Sequence, residues 1–249
     1  MASYPPSQCC IVGVKHEGEA VGTIEKVGGY DAYIARPDDK STRFGVVLFP
    51  DFMGYDLINA KLIADQFAAN GYLTVIPDVW EGDNVPLNWE PGNDFNIGQW
   101  MGKHGPDRTK PICDAIIKAM GADHGVEKLG GVGYCLGAKF VLGYLADGKG
   151  LNAGYFAHPS ATTADELRNI AGPLSIAAAE TDSLFPAAKR HETEAILKDM
   201  TVPYQISLYS DVDHGFALKA DLKNPKIRFA TETAFLQAVN WFDEFVKTK

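Results

Sequence analysis

The sequence predicts an α/β fold in which helices cover both faces of a mainly parallel sheet, and in which the chain begins with an antiparallel hairpin. Two observations lead to this fold class. From residue 44 onward, short apolar runs alternate with longer segments whose apolar residues recur at helical spacing, and such alternation is typical of parallel sheets. Before that point, residues 22–27 and 30–35 flank Gly28 and Gly29. A glycine pair between two strand-like runs is typical of a tight hairpin.

The first elements after the hairpin follow from their apolar patterns. Residues 44–49 form a continuous apolar run, as expected for a strand that is covered on both faces. Residues 56–70 carry an apolar stripe at helical spacing, and Gly71 ends this predicted helix. Residues 72–76 form the next apolar strand, which Pro77 closes.

The rest of the chain continues the alternation, apart from one long aromatic loop. We predict strands at residues 126–132, 152–157, 174–179 and 204–209, and helices at residues 106–120, 140–146, 163–169, 186–200 and 225–249. Residues 80–105 look irregular and carry Trp80, Trp89, Phe95 and Trp100. A loop with so many aromatic side chains is expected to form a lid or a pocket wall, although ordinary packing would explain most of them.

Length and composition favour one folded unit. With 249 residues, of which 46% are apolar, the chain can bury a large core. It shows no internal repeat, low-complexity segment or linker, so the sequence predicts a single domain over residues 1–249.

Charge and cysteine usage limit the possible partners. Lysine and arginine number 23 against 32 aspartates and glutamates, which gives a formal net charge of −9 and disfavours nucleic acid and anionic membranes as partners. No apolar run approaches the ~20 residues that span a bilayer, and the N-terminus lacks a secretory pattern. Four cysteines, two of them adjacent, do not make a disulfide framework at this length. We therefore expect a cytoplasmic protein with free thiols, while its oligomeric state stays open.

One glycine-rich stretch carries the strongest functional signal. Gly133-Tyr134-Cys135-Leu136-Gly137 follows a predicted strand and precedes a predicted helix, which is the context of a nucleophile elbow with cysteine in place of serine. The glycines suit a sharp turn in which a Cβ would crowd neighbouring elements, and a helix N-terminus favours a thiolate. The alternative is an inert, buried cysteine in a glycine-rich turn.

Two candidate partners of this cysteine follow other predicted strands. A cysteine nucleophile needs a nearby histidine and a carboxylate that orients the histidine. Asp182 and His214 follow Cys135 in the order nucleophile, acid, histidine, which is the order of α/β-hydrolases. Ligands bind beyond the carboxyl ends of the strands in such sheets, so we predict a Cys135–His214–Asp182 triad there. Glu180 and Asp213 stay open as alternative orienting carboxylates.

Backbone N–H groups complete the predicted site. An oxyanion hole of this kind uses the N–H of the residue after the nucleophile, here Leu136, and an N–H from the loop that follows residues 44–49. Phe52 is the best candidate for the second donor.

These segments resemble the dienelactone hydrolase family over nearly the whole chain. The resemblance rests on the elbow, on the Asp182 segment, on His214-Gly215-Phe216 and on Phe49-Pro50-Asp51-Phe52-Met53-Gly54. The Cys9-Cys10 start and the stretch Phe156-Ala157-His158-Pro159-Ser160 are similar to its eukaryotic, fungal-type branch. The resemblance implies an α/β-hydrolase fold and a Cys-His-Asp triad that cleaves small esters or lactones without a metal or another cofactor.

Two departures from the family pattern bear on the substrate. The bacterial members carry a glutamate that pairs with the cysteine before substrate arrives, and Asp51, one methylene shorter, occupies that place. They also use two arginines to hold a substrate carboxylate, where this chain has Glu81 and Leu218. Charge-assisted bonds of about 1.5–3 kcal/mol each would be missing. Unless Lys219 or Lys103 compensates, dienelactone itself is not the expected substrate.

The aromatic residues favour a more apolar ester or lactone, of an aromatic or polyketide-like kind. The predicted substrate contacts are Trp80, Tyr134, His158, Phe216 and Leu218. Two other functions stay open: a thioesterase or acyl transferase could use the same triad, and a ligand-binding protein would need only the fold. Adjacent cysteines such as Cys9 and Cys10 lack the spacing of a zinc site, so we expect no metal and assign both residues to packing.

Overall fold

The computed structural model describes residues 1–88 and 95–248, and the strands in this part of the chain form one eight-stranded sheet. The strands are β1 (Thr23–Val27), β2 (Tyr30–Ala35), β3 (Phe44–Phe49), β4 (Leu73–Pro77), β5 (Lys128–Tyr134), β6 (Ala153–Ala157), β7 (Leu174–Thr181) and β8 (Tyr204–Asp213). Their order across the sheet is β1-β2-β4-β3-β5-β6-β7-β8. The β1–β2 and β2–β4 pairs are antiparallel, and every other neighbouring pair is parallel. The predicted fold class, with its N-terminal antiparallel hairpin, is confirmed.

Helices cover the two faces of this sheet. They are α1 (Ile58–Ala69), α2 (Ile97–Lys103), α3 (Pro106–Ala122), α4 (Gly137–Tyr144), α5 (Ala164–Arg168), α6 (Ala187–Lys198), α7 (Phe216–Lys219) and α8 (Pro225–Phe245), with short 3-10 helices at Gln8–Ile11 and Gly54–Asp56. Consecutive strand residues point to opposite faces. On β6, Tyr155 donates its hydroxyl hydrogen to Ala234 O in α8, whereas a Cβ on neighbouring Gly154 would meet Val141 in α4 at 2.8 Å. Helices α4 and α8 therefore lie on opposite faces. No helix in the described ranges is long and apolar enough to cross a membrane.

Three helical predictions need correction. The stretch 80–105, expected to be irregular, contains α2, whose first turn is capped by Asn96 accepting the Gln99 N–H. The segment after His214, for which no helix is predicted, contains the short helix α7. The closing helix ends at Phe245 and does not continue to residue 249. The predictions that fall on Trp89 and Lys249 lie outside the described residues.

The register of the last two strands sets up the candidate site. Thr181 of β7 is paired with Asp213 of β8, beyond an irregularity between Ala179 and Thr181. Both strands run two to four residues further than the sequence predicts. Asp182 and His214 are the next residues of these parallel strands, so the chain leaves the sheet with the two side chains next to each other.

Candidate active site

The elbow places Cys135 in a strained backbone conformation between β5 and α4. Its φ is 52°, in the left-handed region that non-glycine residues rarely adopt and that costs roughly 1–3 kcal/mol. A Cβ on Gly137 would lie 2.2 Å from Phe49 O, and one on Gly133 would lie 2.5 Å from Gly137 O. Glycine is therefore required at both positions, and the tight turn holds the Cys135 side chain at the carboxyl end of the sheet.

The three predicted triad residues meet at this point. The Cys135 Sγ lies 3.3 Å from His214 Nε2, and His214 Nδ1 lies 2.9 and 3.0 Å from the two carboxylate oxygens of Asp182. Asp182 Oδ1 also accepts the N–H groups of Leu184 and Phe185, which fixes the carboxylate. All three triad residues are buried.

Of the three carboxylates that the sequence left open as the orienting acid, Asp182 is the one that bonds to the histidine. Glu180 instead accepts the N–H of Asp211, and it is exposed. The acid that fits the geometry of a triad is therefore Asp182.

Electrostatics favour a charged pair of Cys135 and His214. Burial alone would raise the pKa of Cys135, but the hydrogen bond with Cys10 and the charge of His214 bring this pKa well below its ordinary value. Burial alone would lower the pKa of His214, but the charge of Cys135 and the hydrogen bond with Asp182 raise it to about 10. Both shifts favour a thiolate–imidazolium pair over a neutral thiol and imidazole.

Two further residues contact the Cys135 sulfur, and neither was predicted to be part of the site. The Sγ of Cys10 lies 3.3 Å from the Sγ of Cys135 and 3.7 Å from His214 Nε2. Ser160 Oγ lies 3.3 Å from the same Cys135 sulfur. Cys10 is fully buried, which agrees with the prediction that it serves packing. Its side-chain contacts, however, are with Cys135 and His214 of the predicted triad. The pair Cys9-Cys10 was visible in the sequence, and nothing in its local pattern indicates a contact with a residue 125 positions away.

Asp51, predicted to pair with the cysteine thiol, has other partners. Its Oδ2 lies 3.1 Å from the ammonium of Lys219, and its Oδ1 accepts the Met53 N–H at 3.0 Å. In the described ranges the Asp51 carboxylate makes no hydrogen bond to Cys135. Both members of the ion pair are buried, so each neutralises a charge that would be costly alone. Lys219, considered as a replacement cation for a substrate carboxylate, is already engaged by Asp51.

The two predicted oxyanion donors lie at the elbow and in the turn after β3, and their role stays a prediction. Leu136 immediately precedes α4, and Phe52 lies in the turn after β3, where its carbonyl accepts the Val85 N–H. Trp80 Nε1 donates to Asp51 O at 2.8 Å and fixes the same turn. Within the described ranges, neither the Leu136 N–H nor the Phe52 N–H donates to another protein group.

The predicted substrate contacts divide into two groups. Trp80 packs against Trp100, with ring centroids 4.8 Å apart, and Leu218 is fully buried, so these two belong to the packed interior. His158 lies beside the triad, its ring 5.0 Å from that of His214 and 5.9 Å from that of Phe216. Tyr134 stacks on His158, with ring centroids 5.9 Å apart.

His158 has two unused polar atoms. Both of its ring nitrogens are buried without a hydrogen-bond partner within the described residues. Burial, together with the charges of His214 and Lys219, lowers the pKa of His158 well below its ordinary value. A neutral imidazole without a hydrogen-bond partner thus lies next to the triad; it is fully buried and is not among the residues that line the cleft described below.

A cleft of about 600 Å³ opens beside the triad. Its lining includes Cys9, Ser183, His214, Phe216, Lys219 and Ile227. The cleft therefore reaches His214 from the solvent side, and a small molecule that enters it meets mainly apolar surface.

A parallel sheet with a strained elbow cysteine, and with acid and histidine after later strands, defines an α/β-hydrolase. The model of the dienelactone hydrolase family matches residues 30–246, and the chain belongs to that family. As a member, it is a carboxylic ester hydrolase that acts on a small molecule.

Known proteins place the chain within the fungal-type branch of the family. It is 49% identical over 247 residues to hydrolase pyvD of Aspergillus violaceofuscus, a match that covers 99% of this chain and 100% of that protein. It is 45% identical over 257 residues to hydrolase tropI of Talaromyces stipitatus, covering 100% of both. The crystal structure of a putative dienelactone hydrolase from Klebsiella pneumoniae shares its fold, with a TM-score of 0.71, 16% identity, and coverage of 94% of this chain and 97% of that one.

Proposed function

We propose that the chain hydrolyses a neutral, largely apolar ester or lactone by acyl transfer to Cys135 and then to water. The observation that carries this proposal is the continuous line of contacts from Cys135 Sγ through His214 to Asp182. A nucleophile, its proton carrier and the group that orients the carrier are then within hydrogen-bond reach of each other, as this chemistry requires.

The proposed reaction proceeds through a thioester. The Cys135 thiolate attacks the substrate carbonyl, and the N–H groups of Leu136 and Phe52 stabilise the tetrahedral oxyanion. His214 Nε2 gives its proton to the leaving oxygen, which produces an acyl-Cys135. His214 then removes a proton from water, and the resulting hydroxide cleaves the thioester. Asp182 keeps the imidazole oriented throughout.

The proposed preference for a neutral substrate rests on the cations around the site. The two positions at which bacterial relatives carry arginine are Glu81 and Leu218 here, and Lys219 is bonded to Asp51. A carboxylated lactone would find no free cation among these residues, whereas Phe216 and Ile227 offer apolar surface in the cleft. The buried imidazole of His158 and the ring of Tyr134 are the proposed contacts for substrate polar groups. The cytoplasm stays the proposed location, because the triad requires a reduced thiol.

Hydrolysis of p-nitrophenyl esters of increasing chain length by the wild-type protein and by Cys135→Ala tests the proposal. We expect Cys135→Ala to lower kcat/KM by about 10³-fold or more, since without the nucleophile the proton carrier has nothing to activate. Cys113→Ala is the matched control, because Cys113 is also buried but lies in α3, and it should keep wild-type activity.

Two outcomes would contradict the proposal. One is undiminished turnover by Cys135→Ala; the other is the absence of an acyl group on Cys135 when the wild-type protein is mixed with a slowly hydrolysed ester, quenched in acid and measured by intact mass. Transfer of the acyl group to an added alcohol in preference to water would identify an acyl transferase instead of a hydrolase.

A further inference from the structure

Two cysteines that ester hydrolysis does not use lie against the triad. The Sγ atoms of Cys9 and Cys10 and a ring nitrogen of His214 all lie within 4.8 Å of one another. Cys135 Sγ is 3.3 Å from both Cys10 Sγ and His214 Nε2. Cys10 and His214 belong to both sets of contacts, and they join the sulfurs of Cys9 and Cys135 into one cluster of three sulfurs and one imidazole.

The spacing of these atoms suits a tetrahedral metal ion. Zinc bonds of about 2.3 Å to sulfur and about 2.0–2.1 Å to nitrogen place the ligands of a tetrahedron about 3.8 Å apart for two sulfurs and about 3.6 Å apart for sulfur and nitrogen. The distances among Cys10, Cys135 and His214 are 3.3, 3.3 and 3.7 Å. These three side chains need to separate by only about half an ångström to become ligands.

We propose that Cys9, Cys10, Cys135 and His214 bind one thiophilic divalent cation, for which Zn²⁺ is the best match, and that the bound ion shuts off the triad. The sequence predicted no metal site because adjacent cysteines lack zinc-ligand spacing. The ligands come instead from three segments of the chain that only the fold brings together. Every ligand that is still protonated releases its proton to solvent on binding. In the thiolate–imidazolium form Cys135 has no thiol proton to lose, and His214 gives up its Nε2 proton so that the nitrogen lone pair can bind the ion.

The surroundings of the ligands support this assignment. His214 Nδ1 is bonded to Asp182 at 2.9 Å, so its Nε2 faces the three sulfurs, and a carboxylate behind a ligating histidine is a common outer partner in zinc sites. Cys9 Sγ lies 3.2 Å from Ser7 Oγ, a hydroxyl that can donate to a thiolate.

The site also has an entry path. Cys9 and His214 both line the solvent-open cleft, and Cys9 is the one partly exposed cysteine. An ion can therefore reach the ligands without unfolding of the core, and the Cys9 side chain can adjust its position to complete the tetrahedron.

Occupancy would stop the proposed hydrolysis directly. The ion would take the lone pair of His214 Nε2 that carries protons and the Cys135 thiolate that attacks the carbonyl. This second part of the inference rests on the proposed function, whereas binding of the ion does not.

The binding test uses chelator-treated, fully reduced protein titrated with Co²⁺ and then with Zn²⁺ in competition. We expect one Co²⁺ per chain, with thiolate-to-cobalt charge-transfer absorption in the near ultraviolet and visible bands typical of tetrahedral cobalt. Zn²⁺ should displace the cobalt, and ester hydrolysis should fall in proportion to the bound metal and return after a chelator is added.

The variants Cys9→Ala and Cys10→Ala identify the ligands, and Cys113→Ala is the matched control. Losing an outer partner of a ligand costs about 10- to 100-fold in metal affinity, so losing a ligand should weaken Zn²⁺ binding by at least that factor. Cys113→Ala should bind as the wild type does, because the charged groups around Cys113 are Asp114 and Lys110 of its own helix. Inhibition is compared with the metal-free activity of each variant.

Two results would overturn the inference: a wild-type protein without the thiolate-to-cobalt absorption, or a Cys9→Ala/Cys10→Ala double variant that keeps wild-type affinity for Zn²⁺. If substitution of the buried Cys10 prevents folding, the partly exposed Cys9 carries the test. Metal-free protein that hydrolyses no ester would contradict the proposed function alone, since the cobalt spectrum reports binding without any turnover.

Discussion

The reactivity of Cys135 depends on its neighbours and not on its burial. A thiol without exposed surface would normally stay protonated, because a buried charge is costly. Here His214 Nε2, Cys10 Sγ and Ser160 Oγ each lie 3.3 Å from the Cys135 sulfur. The hydrogen bond with Cys10 and the charge and hydrogen bond of His214 reverse the effect of burial, and they bring the pKa of Cys135 well below its ordinary value.

Alkylation of Cys135 by iodoacetamide as a function of pH tests this reversal. A lowered pKa means that the thiolate persists as the pH falls through the usual thiol value of about 8.5, so the wild-type rate should stay on its plateau well into the acidic range. In His214→Ala the imidazolium is absent, so the pKa of Cys135 should be at least the usual thiol value of about 8.5. The alkylation rate of this variant should therefore fall as the pH drops below that pKa. Peptide mass mapping assigns the modification to Cys135.

Asp182→Asn provides an intermediate control for this measurement. It keeps the imidazole but removes the carboxylate charge that helps to raise the pKa of His214, so its plateau should end at a pH between those of the wild type and His214→Ala. A wild-type inflection near the usual thiol value would contradict the thiolate–imidazolium pair.

The residues that could be identified from the sequence are those that a local motif or their order along the chain marks. Cys135 lies in a recognisable elbow, and Asp182 and His214 follow later strands. The contacts of Cys10 with Cys135 and of Lys219 with Asp51 join positions 125 and 168 residues apart. Neither pair has a local pattern, because each contact exists only once the sheet has formed.

At the scale of elements, the junction of β5 and α4 needs two close backbone approaches. Gly133 and Gly137 each lie where a Cβ would overlap backbone atoms. This junction carries the candidate nucleophile and the Leu136 N–H, so packing and the proposed chemistry depend on the same few atoms.

Gly137→Ala should destabilise the protein strongly, while Gly143→Ala in the same helix should not. The added Cβ at 137 would lie 2.2 Å from Phe49 O, a backbone atom of a central strand, whereas a Cβ at 143 meets nothing within 4 Å. We expect a loss of about 3 kcal/mol of unfolding free energy for the first and a gain of up to about 1 kcal/mol for the second. Urea unfolding followed by circular dichroism measures both, and equal stabilities would contradict the close approach.

The elements that could not be predicted from the sequence are two short helices and the last residues of two strands. Helix α2 has seven residues, two of them glycine, so its helical spacing is too brief to be distinguished from a loop. Helix α7 has four residues. The additional residues of β7 and β8 lie beyond an irregularity in their pairing, which interrupts the alternation that identifies a strand.

At the scale of the whole molecule, the N-terminal segment that contains Cys10 lies at the carboxyl edge of the sheet. Cys10 contacts the triad, and the following residues run along α7, where the Val14 N–H donates to Lys219 O. The strands of the described ranges all belong to one sheet, and the single domain over residues 1–249 stays a prediction. The segment that follows Cys10 thus connects the first residues of the chain to the helix that carries Lys219.

Asn59 of α1 is a side chain that helps to hold this arrangement together. Its amide donates to Val14 O and to Leu218 O, both at 2.9 Å, and its carbonyl oxygen accepts the His16 N–H at 2.8 Å. Asn59 is fully buried. Its three hydrogen bonds therefore join three parts of the chain that are distant in sequence.

Asn59→Ala should lower the unfolding free energy by about 3 kcal/mol, because two carbonyls and one N–H would lose their partner in the interior. Asn70→Ala is the matched control, since the Asn70 amide is exposed and bonds only within its own helix end, to Gln66 O; its effect should stay within about 0.5 kcal/mol. Urea unfolding of the three proteins gives the comparison. If Asn59→Ala proved as stable as Asn70→Ala, the N-terminal segment would not depend on this side chain. Its other bonds, such as Val14 N–H to Lys219 O and the Asn88 amide to Gly13, would then hold it in place.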